Sequence, residues 1–337
     1  MVPSRPGTVL TEIRNADLMK PLDRAFALEA VRVTEAAAIA ASLQIGRGNE
    51  HAADQAAAEA MRAAFNALPI SGTVVIGEGE RDEAPMLYIG EKVGQGGLAV
   101  DIALDPLEGT TLTAKAMSNA LAVMAMAEPG TMLNAPDTYM DKIAIGGDFP
   151  EGLVDLDAEP GDNINALAKA KGVKPRDVTA LVMDRPRHEL LIAKIRKAGA
   201  AVKLIADGDV AGVIETTNPS TGVDIYFGRG GAPEGVLAAA ALRCVGGQMQ
   251  ARLAFRNDDE RARAAKLGIK DLNRKYGLTD LVAGDVVFSA TGVTDGSMLG
   301  GVRRDSLGIT TESVVMRSAT GTVRWITARH RRDRSGG

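Results

Sequence analysis

Residues 99–110 read Ala99-Val-Asp-Ile-Ala-Leu-Asp-Pro-Leu-Glu-Gly-Thr110. The apolar first half predicts a buried strand, and the second half predicts a tight turn that carries Asp105, Glu108 and Thr110. Because the proline holds Asp105 extended, both carboxylates can converge on one point, while Gly109 lets another group approach closely. Carboxylate and hydroxyl oxygens within one turn favour a site for a hard metal ion.

A second acidic cluster follows the apolar run 73–76, in the sequence Gly77-Glu-Gly-Glu80. An Asp-Pro pair alone more often starts a surface turn. Here, however, Asp101 and Asp105 both interrupt an apolar strand, and a buried carboxylate is costly unless it is paired or metal-bound. Glu78 stands between two glycines, which suits an ion or a phosphate close to the backbone. The other acids of this loop are better explained as a solvated face: Glu80, Asp82 and Glu83.

The composition narrows the choice of metal and partner. Of the 337 residues only 3 are His and 1 is Cys, so a zinc site of His and Cys ligands is nearly excluded. Oxygen ligands select Mg²⁺ or Mn²⁺ instead. The net charge of −4 and an aromatic content of 3% argue against a nucleic-acid partner.

The single cysteine and the hydropathy indicate the compartment. Cys244 precludes an intramolecular disulfide, and its Ala-rich surroundings predict a buried structural thiol rather than a nucleophile. No apolar run approaches the roughly 20 residues that a membrane helix requires. We therefore expect a cytoplasmic protein with no membrane partner.

Hydrophobic periodicity divides the chain into two regions. The N-terminal region is expected to contain helices at 23–44 and 50–68 and strands at 73–76, 99–104, 119–127 and 142–146. From about residue 176, strands at 178–183, 201–205 and 223–227 alternate with helices at 187–198, 209–217 and 233–243. This alternation predicts a largely parallel sheet.

The end of the chain is expected to return to strands. A solvated helix is predicted at 257–275, followed by strands at 286–290, 312–317 and 322–328. The basic tail, Arg329–Arg334, is predicted to be a disordered solubilising end rather than an interaction patch. The resulting division is an N-terminal metal-binding α+β domain, 1–175, and a C-terminal α/β domain with the returning strands and the tail, 176–337.

Three loops at predicted strand ends can hold an anionic ligand. The glycine-rich loop Gly228–Gly235 leads into a helix whose N-terminus exposes N–H groups. It lacks the G-x-G-x-x-G spacing, and no Walker A pattern occurs, so nucleotide binding is not indicated. Arg185-Pro186-Arg187 can bind phosphate, although a surface patch explains it equally well. Asp207-Gly208-Asp209 can accept hydrogen bonds from sugar hydroxyls.

Several strings resemble a known family. Residues 105–110 resemble the D-P-[IL]-[DE]-G-[ST] signature of the lithium-sensitive, metal-dependent phosphatase superfamily. More specific strings resemble class II fructose-1,6-bisphosphatase: Val75-Ile-Gly-Glu-Gly-Glu80, Glu83-Ala-Pro-Met-Leu-Tyr-Ile-Gly-Glu-Lys92, Leu133-Asn-Ala-Pro-Asp137, Gly230-Gly-Ala-Pro-Glu-Gly235 and Phe288-Ser-Ala-Thr-Gly292. The resemblance covers residues 23–330 and implies a layered α-β-α-β-α sandwich with two mixed sheets. It also implies a homo-oligomer, commonly a dimer or tetramer.

The same resemblance implies an activity and a role for each candidate residue. The activity is hydrolysis of the 1-phosphate of fructose 1,6-bisphosphate, in gluconeogenesis or the Calvin cycle, with Mn²⁺ or Mg²⁺ as cofactor. The implied metal ligands are Asp54, Glu78, Asp105, Glu108 and Glu234. The implied catalytic residues are Glu78, Asp105 and Thr110, which helps to activate the attacking water. The implied sugar-bisphosphate ligands, mostly in the C-terminal sugar-phosphate domain, are Glu108, Gly109, Thr110, Tyr139, Arg185, Pro186, Arg187, Asp207, Gly208, Asp209 and Gly231. A half-buried strand position explains Tyr139 equally well.

One departure from the family pattern leaves alternatives open. The family usually reads G-R-G-D-K ahead of the helix that carries Asp54, whereas this chain places Asn49 and Glu50 at the last two of those positions. Metal affinity, the choice of ion and the water network can all change as a result. The alternative substrate is sedoheptulose 1,7-bisphosphate, alone or as well. A remote alternative is a catalytically silent metal- or sugar-phosphate-binding protein, against which the intact acidic signature argues.

Overall fold

The computed structural model describes residues 26–79 and 85–331 of the chain. Its helices are α1 (Phe26–Ala41), α2 (Glu50–Asn66), α3 (Thr110–Ala114), α4 (Pro160–Lys171), α5 (Glu189–Lys197), α6 (Asp209–Glu215), α7 (Ala232–Val245), α8 (Asp258–Lys266) and α9 (Leu278–Leu281). Its strands are β1 (Ile70–Ile76), β2 (Lys92–Val93), β3 (Leu98–Glu108), β4 (Leu121–Ala127), β5 (Tyr139–Ile145), β6 (Thr179–Met183), β7 (Ala201–Ile205), β8 (Ile225–Gly231), β9 (Gln248–Ala254), β10 (Tyr276–Gly277), β11 (Val286–Gly292), β12 (Arg303–Asp305), β13 (Gly308–Arg317) and β14 (Thr322–Arg331). These strands form two mixed sheets.

Sheet 1 has eight strands in the order β12-β13-β11-β4-β3-β1-β2, with β14 paired to β13. β1 and β3 are parallel, and the other pairs are antiparallel. β4 is buried along its whole length, which its continuous apolar sequence requires, because both faces of the sheet are covered. The parallel pair β1 and β3 brings the chain ends that carry Glu78, Asp105 and Glu108 to one edge of the sheet.

Sheet 2 has six strands in the order β10-β9-β5-β8-β6-β7. β8, β6 and β7 are parallel to one another, whereas β10, β9, β5 and β8 pair antiparallel. The prediction of a largely parallel sheet is therefore wrong for the half of sheet 2 that contains β10, β9 and β5. The reason is that β5, from the N-terminal region, and β9, absent from the prediction, both join it in antiparallel register.

The elements stack in five layers, which confirms the expected α-β-α-β-α sandwich. α1 and α2 cover the outer face of sheet 1, α6 and α7 lie between the sheets, and α4 and α5 cover the outer face of sheet 2. α7 is buried on almost every side, because its run of alanines lets both sheets approach the helix closely. Cys244 lies in this helix, and burial raises the pKa of its thiol to about 12, as a structural thiol requires.

Three segments differ from the prediction. The helix expected at 257–275 ends at Lys266, and Gly268 follows it in a left-handed conformation with φ +89°. The glycine-rich segment is not a loop, because β8 continues to Gly231 in register with β5 and α7 begins at the next residue. The basic tail is a strand as far as Arg331, because its first three residues continue β14, which pairs with β13 along ten positions. Its remaining residues, 332–334, lie outside the described residues, as do residues 23–25 at the expected start of α1.

The domain boundary near residue 175 stays a prediction. Strands from both sides of that position share both sheets: β5 belongs to sheet 2, and β11 to β14 belong to sheet 1. Within the described residues, no helix is both long enough and apolar enough to cross a membrane. The cytoplasmic location also stays a prediction.

Candidate active site

An acidic cleft of about 320 Å³ opens where the ends of the two sheets meet. Sheet 1 and its helices contribute one side of the cleft through α2, the end of β1, the end of β3 and the start of α3. The starts of α6 and α7 contribute the other side, the sheet 2 side. The predicted site residues that line the cleft are Asp54, Glu78, Asp105, Glu108, Gly109, Thr110, Asp207, Asp209 and Glu234.

The predicted tight turn begins later than expected, because β3 runs through the Asp-Pro pair as far as Glu108. The register between β3 and β4 shifts between Asp105 and Glu108, which accommodates Pro106, a residue without an N–H to donate. Leu107 N–H donates to Asp105 Oδ1 at 3.0 Å. Gly109, with φ +92°, then turns the chain into α3. Both carboxylates still reach the same cleft.

Glu108 is buried and is held from the opposite side of the cleft. The N–H of Val210, in the first turn of α6, donates to Glu108 Oε1 at 2.8 Å. Glu108 Oε2 is buried and has no hydrogen-bond partner within the described residues. Burial raises the pKa of Glu108 well above its usual value, and the negative charge of Asp209 raises it further. One oxygen is thus fixed by the protein, and the other is left for a further ligand.

Asp54, Glu78 and Asp105 form an acidic group on the sheet 1 side. Burial raises the pKa of Glu78 to about 8, and the charge of Asp54 and a hydrogen bond between the two carboxyls add to this effect. Burial likewise raises the pKa of Asp54, and it raises the pKa of Asp105 well above its usual value. Across the described ranges, no Lys or Arg forms an ion pair with any of the three.

Glu234 and Asp209 come from the opposite side and pack against backbone that lacks side chains. A Cβ atom on Gly231 would overlap the carboxylate of Glu234, and one on Gly230 would overlap that of Asp209. Burial raises the pKa of Glu234 to about 7, with the charge of Asp209 as the next cause. Glu234 Oε2 is also buried without a partner in the part of the chain that is described. Asp209, by contrast, forms an ion pair with the buried Lys142.

The remaining predicted residues do not line the cleft. Arg185 lies beside it, with its Nη2 3.7 Å from Asp207 Oδ1. The guanidinium of Arg187 lies over the Tyr139 ring, 4.9 Å from the centroid, and that of Arg256 lies 5.0 Å from the same centroid. The predicted residues outside the cleft are Tyr139, Arg185, Pro186, Arg187, Gly208 and Gly231. The side chains of Tyr139, Arg187 and Arg256 therefore form a cationic cluster outside the acidic cleft.

The donor set fits a hard divalent cation. Every candidate ligand offers carboxylate oxygens, which Mg²⁺ and Mn²⁺ prefer. As they stand, no three acidic, His or Cys side chains among the described residues enclose a common point. The site nevertheless gathers buried acidic groups that have no positive partner in the described part of the chain. Within the same residues, one oxygen each of Glu108 and Glu234 is buried without a hydrogen bond, and burial raises the pKa of Asp105. A divalent cation would provide that compensation.

Two residues of this region have no counterpart in the predicted site. Asp137 lines the cleft, and its only signal was its place in one of the quoted family strings. Lys142 is 2% exposed and touches Asp209. Its signal was a lysine inside the apolar β5, where a charge is costly unless it is paired.

The two positions that depart from the family pattern now have a structural context. Asn49 caps α2, because its side-chain oxygen accepts a hydrogen bond from Ala52 N–H at 3.0 Å. Glu50 is the first residue of α2 and does not line the cleft. Burial is the main cause of the raised pKa of Asp207, and the charge of Glu50 contributes a smaller part. The amide thus serves as a helix cap, and the glutamate adds negative charge near Asp207.

An acidic cleft beside arginines defines the class of site: it suits a divalent cation and an anionic ligand together. Residues 24–330 match the family described as bacterial fructose-1,6-bisphosphatase, glpX-encoded. The chain is 45% identical to the class 2 fructose-1,6-bisphosphatase of Haemophilus influenzae over 324 residues, which cover 92% of this chain and 97% of that protein. It is also 45% identical to fructose-1,6-bisphosphatase 1 class 2 of Escherichia coli K12, over 92% of this chain and 96% of that protein. The chain belongs to the class 2 fructose-1,6-bisphosphatase family.

Proposed function

We propose that this chain hydrolyses fructose 1,6-bisphosphate at its 1-phosphate, in a site assembled around bound Mn²⁺ or Mg²⁺. The family to which it belongs supports the reaction. The observation that carries the site is the pair of buried carboxylate oxygens without partners, Glu108 Oε2 and Glu234 Oε2, on opposite sides of one cleft. Buried negative groups of this kind are stable only when a cation or a proton joins them.

The carboxylates divide into ligands of the metal and ligands of the sugar. The proposed metal ligands are Asp54, Glu78, Asp105, Glu108 and Glu234. Asp207 and Asp209, at the start of α6, would accept hydrogen bonds from sugar hydroxyls, with Gly208 and Gly231 leaving space beside them. Arg185 and Arg187 would bind phosphate oxygens, with Tyr139 and Pro186 beside them.

Thr110 is the proposed residue that holds the attacking water. It begins α3 and lines the cleft together with Asp105 and Glu108. Its hydroxyl can accept a hydrogen bond from the water, while a carboxylate oxygen of Asp105 or Glu78 takes up the proton. A bound divalent ion would supply Lewis-acid polarisation of the phosphoryl group and lower the pKa of the water.

The proposal is tested by measuring phosphate release from a panel of substrates. The panel contains fructose 1,6-bisphosphate, sedoheptulose 1,7-bisphosphate and an inositol monophosphate, each with Mn²⁺, with Mg²⁺ and with excess EDTA. We expect release from fructose 1,6-bisphosphate that depends on added metal. Activity that survives full chelation contradicts the metal site, and a preference for the inositol phosphate contradicts the substrate.

A pair of threonine variants tests the catalytic assignment. Thr110→Val removes the hydroxyl at the cleft and is expected to lower kcat by about 10²-fold. Thr111→Val is the matched control, because Thr111 is the next residue of α3 but does not line the cleft. Equal rates in the two variants would contradict the role of Thr110. The homo-oligomeric state stays a prediction, which light scattering of the purified chain would test.

A further inference from the structure

Lys142 is a buried cation at the centre of sheet 2. It lies in β5, opposite Gly228 of β8 and Ala251 of β9, and only 2% of it is exposed. Its Nζ donates to Asp209 Oδ2 and, at 2.9 Å, to the carbonyl oxygen of Gly231. A lysine in such a position is costly unless its ammonium group is paired. One of its two bonds ends at Asp209, which lines the acidic cleft, and the other ends at Gly231, which packs against the cleft residue Glu234.

The route of the side chain is built into the neighbouring helix. Gly235 lies in the first turn of α7, and a Cβ atom there would lie 3.3 Å from Lys142 Cδ and 2.6 Å from Met140 Sδ. The absence of a side chain at this position therefore gives the lysine stem room beneath the turn that carries Glu234. The stem packs against α7, and the ammonium group reaches both α6 and the end of β8.

The two bonds of Lys142 lead to two of the proposed metal ligands. Asp209 is followed by Val210, whose N–H holds Glu108 Oε1 at 2.8 Å. Gly231, whose carbonyl Lys142 holds, is the residue against which the carboxylate of Glu234 packs. Glu108 comes from sheet 1 and Glu234 from the helix between the sheets, so these contacts join the two sides of the cleft.

We propose that Lys142 is a positioning residue that, through Asp209 and Gly231, holds Glu108 and Glu234 in the arrangement that binds the divalent ion. This inference rests on the proposed metal-dependent function. Positioning and electrostatics predict opposite changes in metal affinity when the ammonium group of Lys142 is removed. An ammonium group near a cation site repels the cation, so loss of the charge alone would strengthen metal binding, whereas loss of the positioning contacts weakens it.

The test is the affinity of the full chain for Mn²⁺, measured by calorimetry without substrate. Lys142→Met keeps an unbranched apolar stem of nearly the same length and removes both hydrogen bonds. We expect its Kd for Mn²⁺ to rise by about 10- to 100-fold, the usual range for residues that orient metal ligands. Lys171→Met is the matched control, because Lys171 also pairs with an aspartate, Asp224, but away from the cleft. Its affinity for Mn²⁺ is expected to equal that of the unmodified chain.

Two variants of Asp209 test the same contact from its other partner and remain informative if Lys142→Met does not fold. Asp209→Asn and Asp209→Ala remove the same negative charge, but only the asparagine keeps an oxygen that can accept from Lys142. Positioning predicts that the Ala variant binds Mn²⁺ about tenfold more weakly than the Asn variant. Circular dichroism checks that each variant is folded.

The outcomes separate this inference from the proposed function. If the unmodified chain does not bind Mn²⁺, the proposed metal site fails and the role of Lys142 fails with it. If the unmodified chain binds Mn²⁺ and folded Lys142→Met binds it equally or more tightly, only the positioning role is overturned. Equal Mn²⁺ affinities in the two Asp209 variants would overturn it as well.

Discussion

The two sides of the cleft treat buried negative charge differently. On the sheet 2 side, Asp209 has a buried cation of its own in Lys142. On the sheet 1 side, burial raises the pKa of Asp54, Glu78 and Asp105, and within the described residues none of them has a Lys or Arg partner. Asp209 is thus compensated as folded, whereas the sheet 1 acids and Glu234 have no ion-pair partner of their own in the described part of the chain. Lys142 and Asp209 therefore act as structural support, and the uncompensated carboxylates are the groups suited to a metal ion.

The largest effect is expected when the carboxylates of the sheet 1 side are neutralised. Glu78→Gln and Asp105→Asn are expected to lower kcat/KM for fructose 1,6-bisphosphate by at least about 10³-fold, because each removes several kcal/mol of metal-derived transition-state stabilisation. The same variants should stabilise the metal-free protein by about 0.5–2 kcal/mol, because each removes a repelling buried carboxylate. Steady-state kinetics and thermal unfolding in EDTA measure the two effects.

The control for this prediction lies on the same strand. Asp101 is also an acid in β3, but it accepts a hydrogen bond from Gly130 N–H and does not line the cleft. Asp101→Asn should therefore keep nearly normal kinetics. If Glu78→Gln and Asp105→Asn also do so, the metal does not bind on the sheet 1 side.

The second prediction disturbs the sheet 2 side without changing any charge. Gly230→Ala introduces a methyl group into the space of the Asp209 carboxylate, so it should displace Asp209 from Lys142. A shift of about 1 Å in a residue of the site costs about 10²-fold in rate. We expect kcat/KM to fall by about that factor while the far-ultraviolet circular dichroism stays unchanged.

Gly161→Ala provides the comparison for this variant. Its added methyl would meet only Ala198 Cβ at 3.4 Å, in a helix on the outer face of sheet 2. A Gly230→Ala enzyme as active as Gly161→Ala would show that the position of Asp209 is unimportant.

These two sides also differ in how far the sequence predicts them. Asp105 and Glu108 could be found from sequence because acids at the end of an apolar run are locally conspicuous. The strand β8 could not be predicted as far as Gly231, because a glycine-rich sequence is typical of a loop. Only its pairing with β5 makes this segment a strand. The role of Lys142 could not be predicted either, because it also depends on a contact between residues that are distant in sequence. Its partner Asp209 is 67 residues away in sequence, and no local pattern connects the two.

The third prediction concerns the cationic cluster beside the cleft, where no metal ligand is involved. Arg187 lies over Tyr139, and its Nε donates to the carbonyl oxygen of Arg229 at 3.0 Å. If it binds the phosphate that is not hydrolysed, Arg187→Met removes a charge-assisted hydrogen bond worth about 1.5–3 kcal/mol. The KM for fructose 1,6-bisphosphate should then rise by about 10- to 100-fold, with kcat and the affinity for Mn²⁺ nearly unchanged.

Arg176→Met is the control for the arginine, because Arg176 is exposed on the surface beside Asp177 and does not line the cleft. A change in kcat rather than in KM for Arg187→Met would move Arg187 from substrate binding to the chemical step. Such a result would mean that the cationic cluster, like the acidic cleft, takes part in the chemical step.

The smallest effect is expected at His188, which supports the strand end beside the cationic cluster. His188 is buried, with Nδ1 2.8 Å from the carbonyl oxygen of Met183 and Nε2 accepting from Arg229 N–H at 2.8 Å. This arrangement needs a neutral ring. Burial lowers the pKa of His188 below 6.5, and the charges of Arg187 and Arg229 lower it further.

The direction of the pH effect follows from this shift. Below the unfolded pKa of about 6.5 the unfolded chain binds a proton that the folded chain resists, so the free energy of unfolding falls as the pH decreases from 7.5 to 5.5. His188→Gln cannot bind that proton, so its thermal midpoint should fall less steeply over the same interval than that of the unmodified chain, with EDTA present in both samples. Parallel pH profiles would mean that the imidazole is not kept neutral by the fold. The sheet 2 side would then owe its stability at low pH to other groups.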